Sequence, residues 1–276
     1  MILPTDFRFN QNNLQDYADC PRRFELKHVL KQSWPAVLSE PLLEVEAHQH
    51  LGQNFHQLVQ QYELGLEQKE IERSIHNADL LSWWRNYLEF APKGLKANRF
   101  VEHTLSIPFH DFRLLSQYDL ILYDNHSKCL IVDWKTSRIR LPSNYLHHRM
   151  QSIIYLYVLA EVGSPSPKLP TIKPESIKMV YWFPQFPHES EIINYSSQEH
   201  NQSGELLKSL VMEINQKKLG EFAITENEKM CRFCNYRSLC QRGIQAGNWQ
   251  EQEAMDIDSL ISPLDLDFDQ IKDIAF

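Results

Sequence analysis

The spacing of apolar residues switches between helical and strand periods along this chain. Leu51, Phe55, Leu58, Val59 and Tyr62 recur at three- and four-residue intervals, which predicts an amphipathic helix over 42–66. Residues 11–32 carry a similar stripe (Leu14, Tyr17, Phe24, Leu26, Val29, Leu30), with Asn12 or Asn13 as its cap. Pro21 fits poorly inside a helix, so a turn or a new helix start is expected at Cys20, with its thiol exposed. Residues 67–95 read as helical and ring-rich, with Trp83, Trp84, Tyr87 and Phe90 as core. From Phe100 the period falls to two. Val101, His103, Leu105 and Ile107 alternate with Glu102, Thr104 and Ser106 in a first strand, followed by strands over 112–123 and 129–135. Then come a helix over 144–161, a Pro/Ser/Lys linker over 163–174, an apolar strand over 177–183 stopped by Pro184, and an amphipathic helix over 202–219.

The run Leu130-Ile131-Val132-Asp133-Trp134-Lys135 places a carboxylate and an ammonium on one strand face. A largely buried strand rarely carries two such charges unless they pair or bind a metal. The polar loop Asp124–Lys128 suits a hairpin; if it is symmetric about His126, paired residue numbers sum to 252. Asp119 then faces Asp133, and Gln117 faces Lys135. Two carboxylates that close repel unless a cation lies between them, and their separation suits a shared divalent ion. Glu102 lies near enough in the sheet to be a second-tier or extra ligand. Tyr118, Leu120, Leu122, Leu130, Val132 and Trp134 would share the opposite face, while Ile121, Ile131 and Cys129 would share the carboxylate face. Both faces are apolar, so a mixed α+β fold with helices on both sides of the sheet is expected.

Composition narrows the class. The 276 residues are 42% hydrophobic and 23% charged, ordinary for a globular protein. The longest apolar run, Ile153–Ala160, is too short to span a bilayer, and Asp6 interrupts any secretory leader, so a cytoplasmic protein without membrane partners is expected. The net charge of −8 argues against a nucleic-acid partner until its distribution is examined. Residues 247–276 carry −7 of it, leaving a near-neutral body of 1–246 able to hold a local basic groove. We therefore expect one domain over 1–246 and an acidic tail over 247–276. In the tail, Leu264–Asp269 alternates apolar and acidic residues and could dock on a protein partner.

Five cysteines without a secretory signal argue against disulfides. Cys231, Cys234 and Cys240 form a C-x2-C-x5-C run that reads as metal ligation, with Cys20 the natural fourth ligand and Cys129 a buried structural thiol. Other residues read blandly from pattern alone. Gly52 marks close helix packing, His56 is a solvated or capping histidine, and Gln151 with Tyr155 is a surface hydrogen bond.

Taken together these residues resemble the RecB-type branch of the PD-(D/E)XK nucleases. More narrowly they are similar to its iron–sulfur members, which include CRISPR-associated nucleases and nuclease domains of bacterial recombination helicase complexes. The resemblance spans about residues 10–245. It rests on Cys20-Pro21-Arg22-Arg23-Phe24, Gly52…His56, Asp119, Asp133-Trp134-Lys135, Gln151…Tyr155, and Cys231, Cys234 and Cys240 in that order. Two departures stand out: Ser116 replaces the glycine often found three residues before the first aspartate, and no Gly-x4-Gly-Lys-Ser/Thr loop is present to power a helicase motor.

The resemblance implies a restriction-endonuclease-like core, with the N- and C-terminal segments joined at a cysteine cluster. It implies a Mg²⁺- or Mn²⁺-dependent deoxyribonuclease acting on single-stranded or end-containing DNA, in repair, recombination or foreign-DNA processing. Asp119, Asp133, Lys135, Gln151 and Tyr155 would be catalytic. His56, Asp119, Asp133 and the carbonyl of Trp134 would hold the metal. Cys20, Cys231, Cys234 and Cys240 would hold a 4Fe–4S cluster, zinc being the alternative. A DNA-binding or scaffold protein with a decayed site is the competing reading, and a plain ion pair with a stability clip is a third.

Overall fold

The computed structural model describes residues 2–32, 42–91, 97–124, 127–232 and 234–243, with the side chains of 42–46 excepted. The acidic tail, the 246/247 boundary and the centre of the hairpin loop at His126 lie outside these residues. A six-stranded mixed sheet forms the centre: β1 Arg8–Phe9, β2 Ala97–Phe109, β3 Phe112–Asp124, β4 Cys129–Trp134, β5 Ile177–Trp182 and β6 Glu191–Asn194. The order is β1-β3-β4-β5-β6, with β2 on the other edge of β3. β3 is antiparallel to β2 and β4 and parallel to β1; β4 runs parallel to β5, and β6 closes the sheet antiparallel to β5.

Helices cover both faces. α3 (Leu42–Glu63), α4 (Gln68–Ser74) and α5 (Ala78–Phe90) pack on Leu120, Leu122, Val132, Trp134 and Trp182 through Phe55, Trp83, Trp84 and Tyr87. On the other face, α7 (Met150–Val162) covers Ile121, Ile131, Met179 and Tyr181, with α8 (Ser197–Gln216) and α1 (Gln11–Asp19) beyond it. α7 is apolar nearly all round because it is sandwiched between the sheet and these helices. It follows the short α6 (Ser143–His147) in the crossover from β4 to β5 that a parallel pair requires. No helix among the described residues is long and apolar enough to cross a membrane.

Several elements differ from the sequence reading. The first helix is split: Asn10 caps α1 in a reciprocal box with Asn13, displacing Asn12 and Asn13 as caps. Cys20 then turns extended, and Pro21 opens α2 (Pro21–Phe24) before a π-helical turn over Glu25–Val29. The Cys20 thiol is not exposed, since the residue is only 7% accessible. The helical reading of 67–95 is met over 67–91 by two helices, α4 and α5.

The register of β3 on β4 is the expected one, from Tyr123↔Cys129 to Leu120↔Val132. The ladder then ends one pair short of Asp119 and Asp133. There the Trp134 N–H donates at 2.9 Å to the Asp119 side chain, and the Lys135 N–H donates at 2.8 Å to the Trp182 carbonyl. Gln117 therefore does not face Lys135; it pairs with Thr104 and donates to Glu102 at 3.0 Å. Tyr118 is also moved. Its ring lies 4.7 Å from Tyr155, and its hydroxyl donates at 2.9 Å to the Tyr155 carbonyl, on the α7 face and not with Leu120. The cause is local: the β2–β3 ladder skips the Glu102–Asp119 pair while keeping register on both sides, and Glu102 has φ of +46°. A matched irregularity in two strands re-aims the side chains around it.

Candidate active site

The site forms where that irregularity meets the end of β4. Helix α3 approaches closely here because residue 52 is glycine. A Cβ on Gly52 would come within 2.5 Å of Thr136 Oγ1. One turn earlier, the His48 ring N–H donates at 2.7 Å to the Thr136 carbonyl. One turn later, His56 Nδ1 lies 3.5 Å from Asp119 Oδ1. His48, Gly52 and His56 thus form one face of α3 aligned along the strand end.

Two groups of residues result. At the mouth, one ligand atom each from His56, Glu102 and Asp119 lies within 4.8 Å of the others, and all three residues are partly accessible. On the floor, Asp133 and Lys135 are almost fully buried, at 2% and 5%. Gln151 on α7 ties the floor together: its amide donates at 2.6 Å to Asp133 Oδ1 and accepts from Lys135 Nζ at 2.8 Å. Tyr155, one turn on, hydrogen-bonds Gln151. Asp133 Oδ2 lies 3.2 Å from Lys135 Nζ, but it is sealed from solvent and has no aligned hydrogen bond.

The electrostatics are crowded. Burial opposes the charge on Asp119, but His56, the Trp134 N–H and Lys135 outweigh it and hold this carboxyl below its usual range. Burial first, and then the Asp119 charge, push Glu102 up to about 7. Asp133 is likewise pushed up to about 7 by burial and Asp119, against the pull of Lys135. Three carboxylates share one ammonium and one imidazole, an arrangement that a cation relieves. Oxygen donors with a single imidazole suit a hard divalent ion. The donor set therefore fits Mg²⁺ or Mn²⁺.

Of the residues singled out from sequence, the structure brings together His56, Asp119, Asp133, Lys135, Gln151 and Tyr155. The ring of Trp134 packs with the aromatic core on the α3–α5 face. Of the two places open to Glu102, second tier or extra ligand, the structure sets it in the mouth group with His56 and Asp119. The two-residue turn His110-Asp111 carried the missing signal, because pairing about it sets Glu102 opposite Asp119. His48 was passed over, although its four-residue spacing to Gly52 and His56 marks a shared face. Ser116, in place of the family's glycine, is fully buried and donates its hydroxyl to Tyr118 at 2.8 Å.

Beyond α1, the segment around Cys20 meets residues 222–236. The Arg22 N–H donates to the Ala223 carbonyl at 3.0 Å, Tyr236 Oη donates to the Gln32 carbonyl at 2.9 Å, and Phe24 stacks on Phe222. Cys231, Cys234 and Cys240 come from a tightly turned run in which the Cys234 N–H donates to the Cys231 carbonyl at 3.2 Å. Burial raises all three thiols, Cys234 to about 11, and Cys20 adds to each shift. Four soft donors drawn to one place fit a thiophilic metal or cluster, which would hold them as thiolates. Cys129 stands apart on β4, its thiol pushed up to about 12 by burial and then by Asp124.

Solved structures resembling this chain fall at low identity. The protein SSO0001 is 17% identical over 85% of this chain and 86% of its own, with a TM-score of 0.41. A candidate exonuclease from Eubacterium rectale is 12% identical over 79% of this chain and 84% of its own, with a TM-score of 0.44. No curated protein sequence matches. The profile of one family, the PD-(D/E)XK nuclease superfamily, matches residues 8–241, taking in both the carboxylate centre and the cysteines. The chain belongs to the PD-(D/E)XK nuclease superfamily.

Proposed function

We propose that this protein is a Mg²⁺- or Mn²⁺-dependent deoxyribonuclease of the RecB type, cytoplasmic, acting on single-stranded or end-containing DNA in repair, recombination or foreign-DNA processing. The observation that carries the reading is the His56–Glu102–Asp119 group within 4.8 Å at the mouth of a floor built from Asp133, Lys135 and Gln151. His56, Glu102 and Asp119 would hold the cation, with Asp133 Oδ2 and the Trp134 carbonyl completing its shell. Bound there, the ion supplies Lewis-acid activation of water and offsets charge on the phosphate. Lys135 places a positive charge where the phosphate gains negative charge and orients the attacking water. Gln151 keeps Lys135 from collapsing onto Asp133 alone, because its two amide atoms hold one each. Tyr155 fixes Gln151.

Cys20, Cys231, Cys234 and Cys240 would hold a structural 4Fe–4S cluster. A four-thiolate zinc site, with Zn–S near 2.3 Å, draws its sulfurs to about 3.8 Å apart. Four thiolates alone suit zinc as well; the resemblance to the iron–sulfur members of the family is what favours the cluster. The nuclease unit is residues 1–246, with 247–276 as an acidic segment for a protein partner.

Purified protein is expected to degrade end-labelled DNA only when Mg²⁺ or Mn²⁺ is added. Cleavage by Asp133→Ala or Lys135→Ala protein at the wild-type rate would sink the assignment. Tight DNA binding without cleavage by wild type would favour the scaffold alternative. A brown colour absorbing near 400 nm identifies the cluster, and a colourless anaerobic preparation with stoichiometric zinc refutes it.

A further inference from the structure

Beside the cysteines lies a buried ion cluster that the nuclease centre does not use. Arg23, three residues after Cys20, is 7% accessible. Its backbone N–H donates to the Cys20 carbonyl at 2.9 Å, which fixes where the side chain starts. Two carboxylates hold the guanidinium: Nη2 donates to Asp19 Oδ2 at 2.7 Å, and Nε lies 2.8 Å from Asp16 Oδ1. Asp16 is braced in turn by His28 Nε2 at 2.8 Å and Lys27 Nζ at 3.4 Å. Nη1 is sealed from solvent and has no hydrogen-bond partner, and Nε, though close to Asp16, is not aligned for a hydrogen bond either. After the two aspartates, the next electrostatic influence on this guanidinium is Cys234, whose sulfur would be a thiolate when metal is bound. Arg23 also acts on Cys231.

An orphan N–H on a buried cation is costly, so a native structure that keeps one calls for an acceptor. Asp19 takes Nη2 and Asp16 lies beside Nε, and the electrostatic neighbour left for Nη1 is the Cys234 sulfur. We infer that Arg23 Nη1 is reserved for whatever the cysteines bind, donating an N–H···S bond to the Cys234 sulfur or to a sulfide of the bound cluster. Asp16 and Asp19 fix the orientation of the fork, and Lys27 and His28 balance the second carboxylate. This rests on the cysteine site proposed above. Arg23 touches no substrate; it is a positioning residue that draws charge from sulfur. Hydrogen bonds to ligating sulfur stabilise the reduced state of a cluster and slow loss of its metal.

The test uses full-length protein purified without oxygen, assayed for iron, sulfide and zinc. Arg23→Gln is expected to lose iron to a chelator at least tenfold faster than wild type and to shift the cluster's midpoint potential to a more negative value. Arg23→Lys keeps the charge beside the aspartates but cannot place a nitrogen at Nη1, and it is expected to show the same direction of potential shift. A folded Arg23→Gln protein with wild-type iron retention and potential overturns the inference. If that variant does not fold, an unchanged potential in Arg23→Lys overturns it. If wild type carries zinc, chelator release alone decides, with equal rates overturning it. Wild-type protein with nothing bound at its cysteines instead overturns the cysteine site itself.

Discussion

At the carboxylate centre, each key side chain is oriented by protein alone. Gln151 spans Asp133 and Lys135, the Trp134 N–H holds Asp119, and Gln117 holds Glu102. These partners come from β3, β4 and α7, all anchored in one sheet and its covering helix. The cysteines come from segments far apart in sequence, Cys20 and 231–240, and burial raises the thiols of Cys231, Cys234 and Cys240. On the proposed reading, a metal held by the first, preorganised arrangement would add chemistry, and a group bound by the second, a clasp, would add stability.

That contrast can be broken experimentally. The largest effect is expected from opening the clasp. Cys231→Ser should lose the bound group and destabilise the fold by up to about 5 kcal/mol, the loop-closure entropy for a loop of about 200 residues. Denaturant titration checks this, and a loss below about 1 kcal/mol would show that the clasp does not stabilise. Next, Lys135→Ala should slow cleavage by roughly 10³-fold, about 4 kcal/mol of barrier, while the cysteine site keeps its group. Single-turnover kinetics and metal analysis on one preparation separate the two sites; loss of both functions together would mean they are coupled.

A smaller effect probes the contact that aligns His56. Gly52→Ala forces a Cβ against Thr136 and should cost about 2 kcal/mol by overpacking, with a matching fall in Mn²⁺ affinity as α3 shifts. Thermal melts and calorimetric Mn²⁺ titration would read both; wild-type values would show that Thr136 can yield. A comparable term should appear on acidification. Burial opposes ionisation of Asp16, but His28, Arg23 and Lys27 lower it from 3.8 to about 2. Its stabilisation of about 2 kcal/mol is therefore complete above pH 4 and lost as pH falls towards 2. Asp16→Asn should flatten stability across that window, and an unchanged profile would remove Asp16 from the account. The smallest effect is at the mouth: Glu102→Gln should weaken Mn²⁺ binding about tenfold, about 1.4 kcal/mol, without melting the fold.

Much of the architecture was legible because local pattern sets it. The alternation in β2, β3 and β4 and the polar loop between the last two strands placed the β3–β4 register correctly. The break at Cys20 followed from proline. β1 and β6 were missed because two- and four-residue strands carry no period of their own; β6 forms by pairing with β5, and its Glu191 gathers Arg140, Ser143 and His147. Tyr118 was misplaced because strict alternation was carried through Asp119, where two strands break it together.

What the sequence determined by itself was the inventory: two carboxylates and a lysine at strand spacing, a glutamine and a tyrosine one helical turn apart, and cysteines at knuckle spacing. Those follow from backbone periods, which are local. Tertiary structure decided which of them meet. The left-handed backbone at Glu102, the closeness of α3 at Gly52 and the burial of Cys20 depend on surfaces that exist only after packing. Through them Glu102 joins His56 and Asp119, while Asp133 turns towards Gln151.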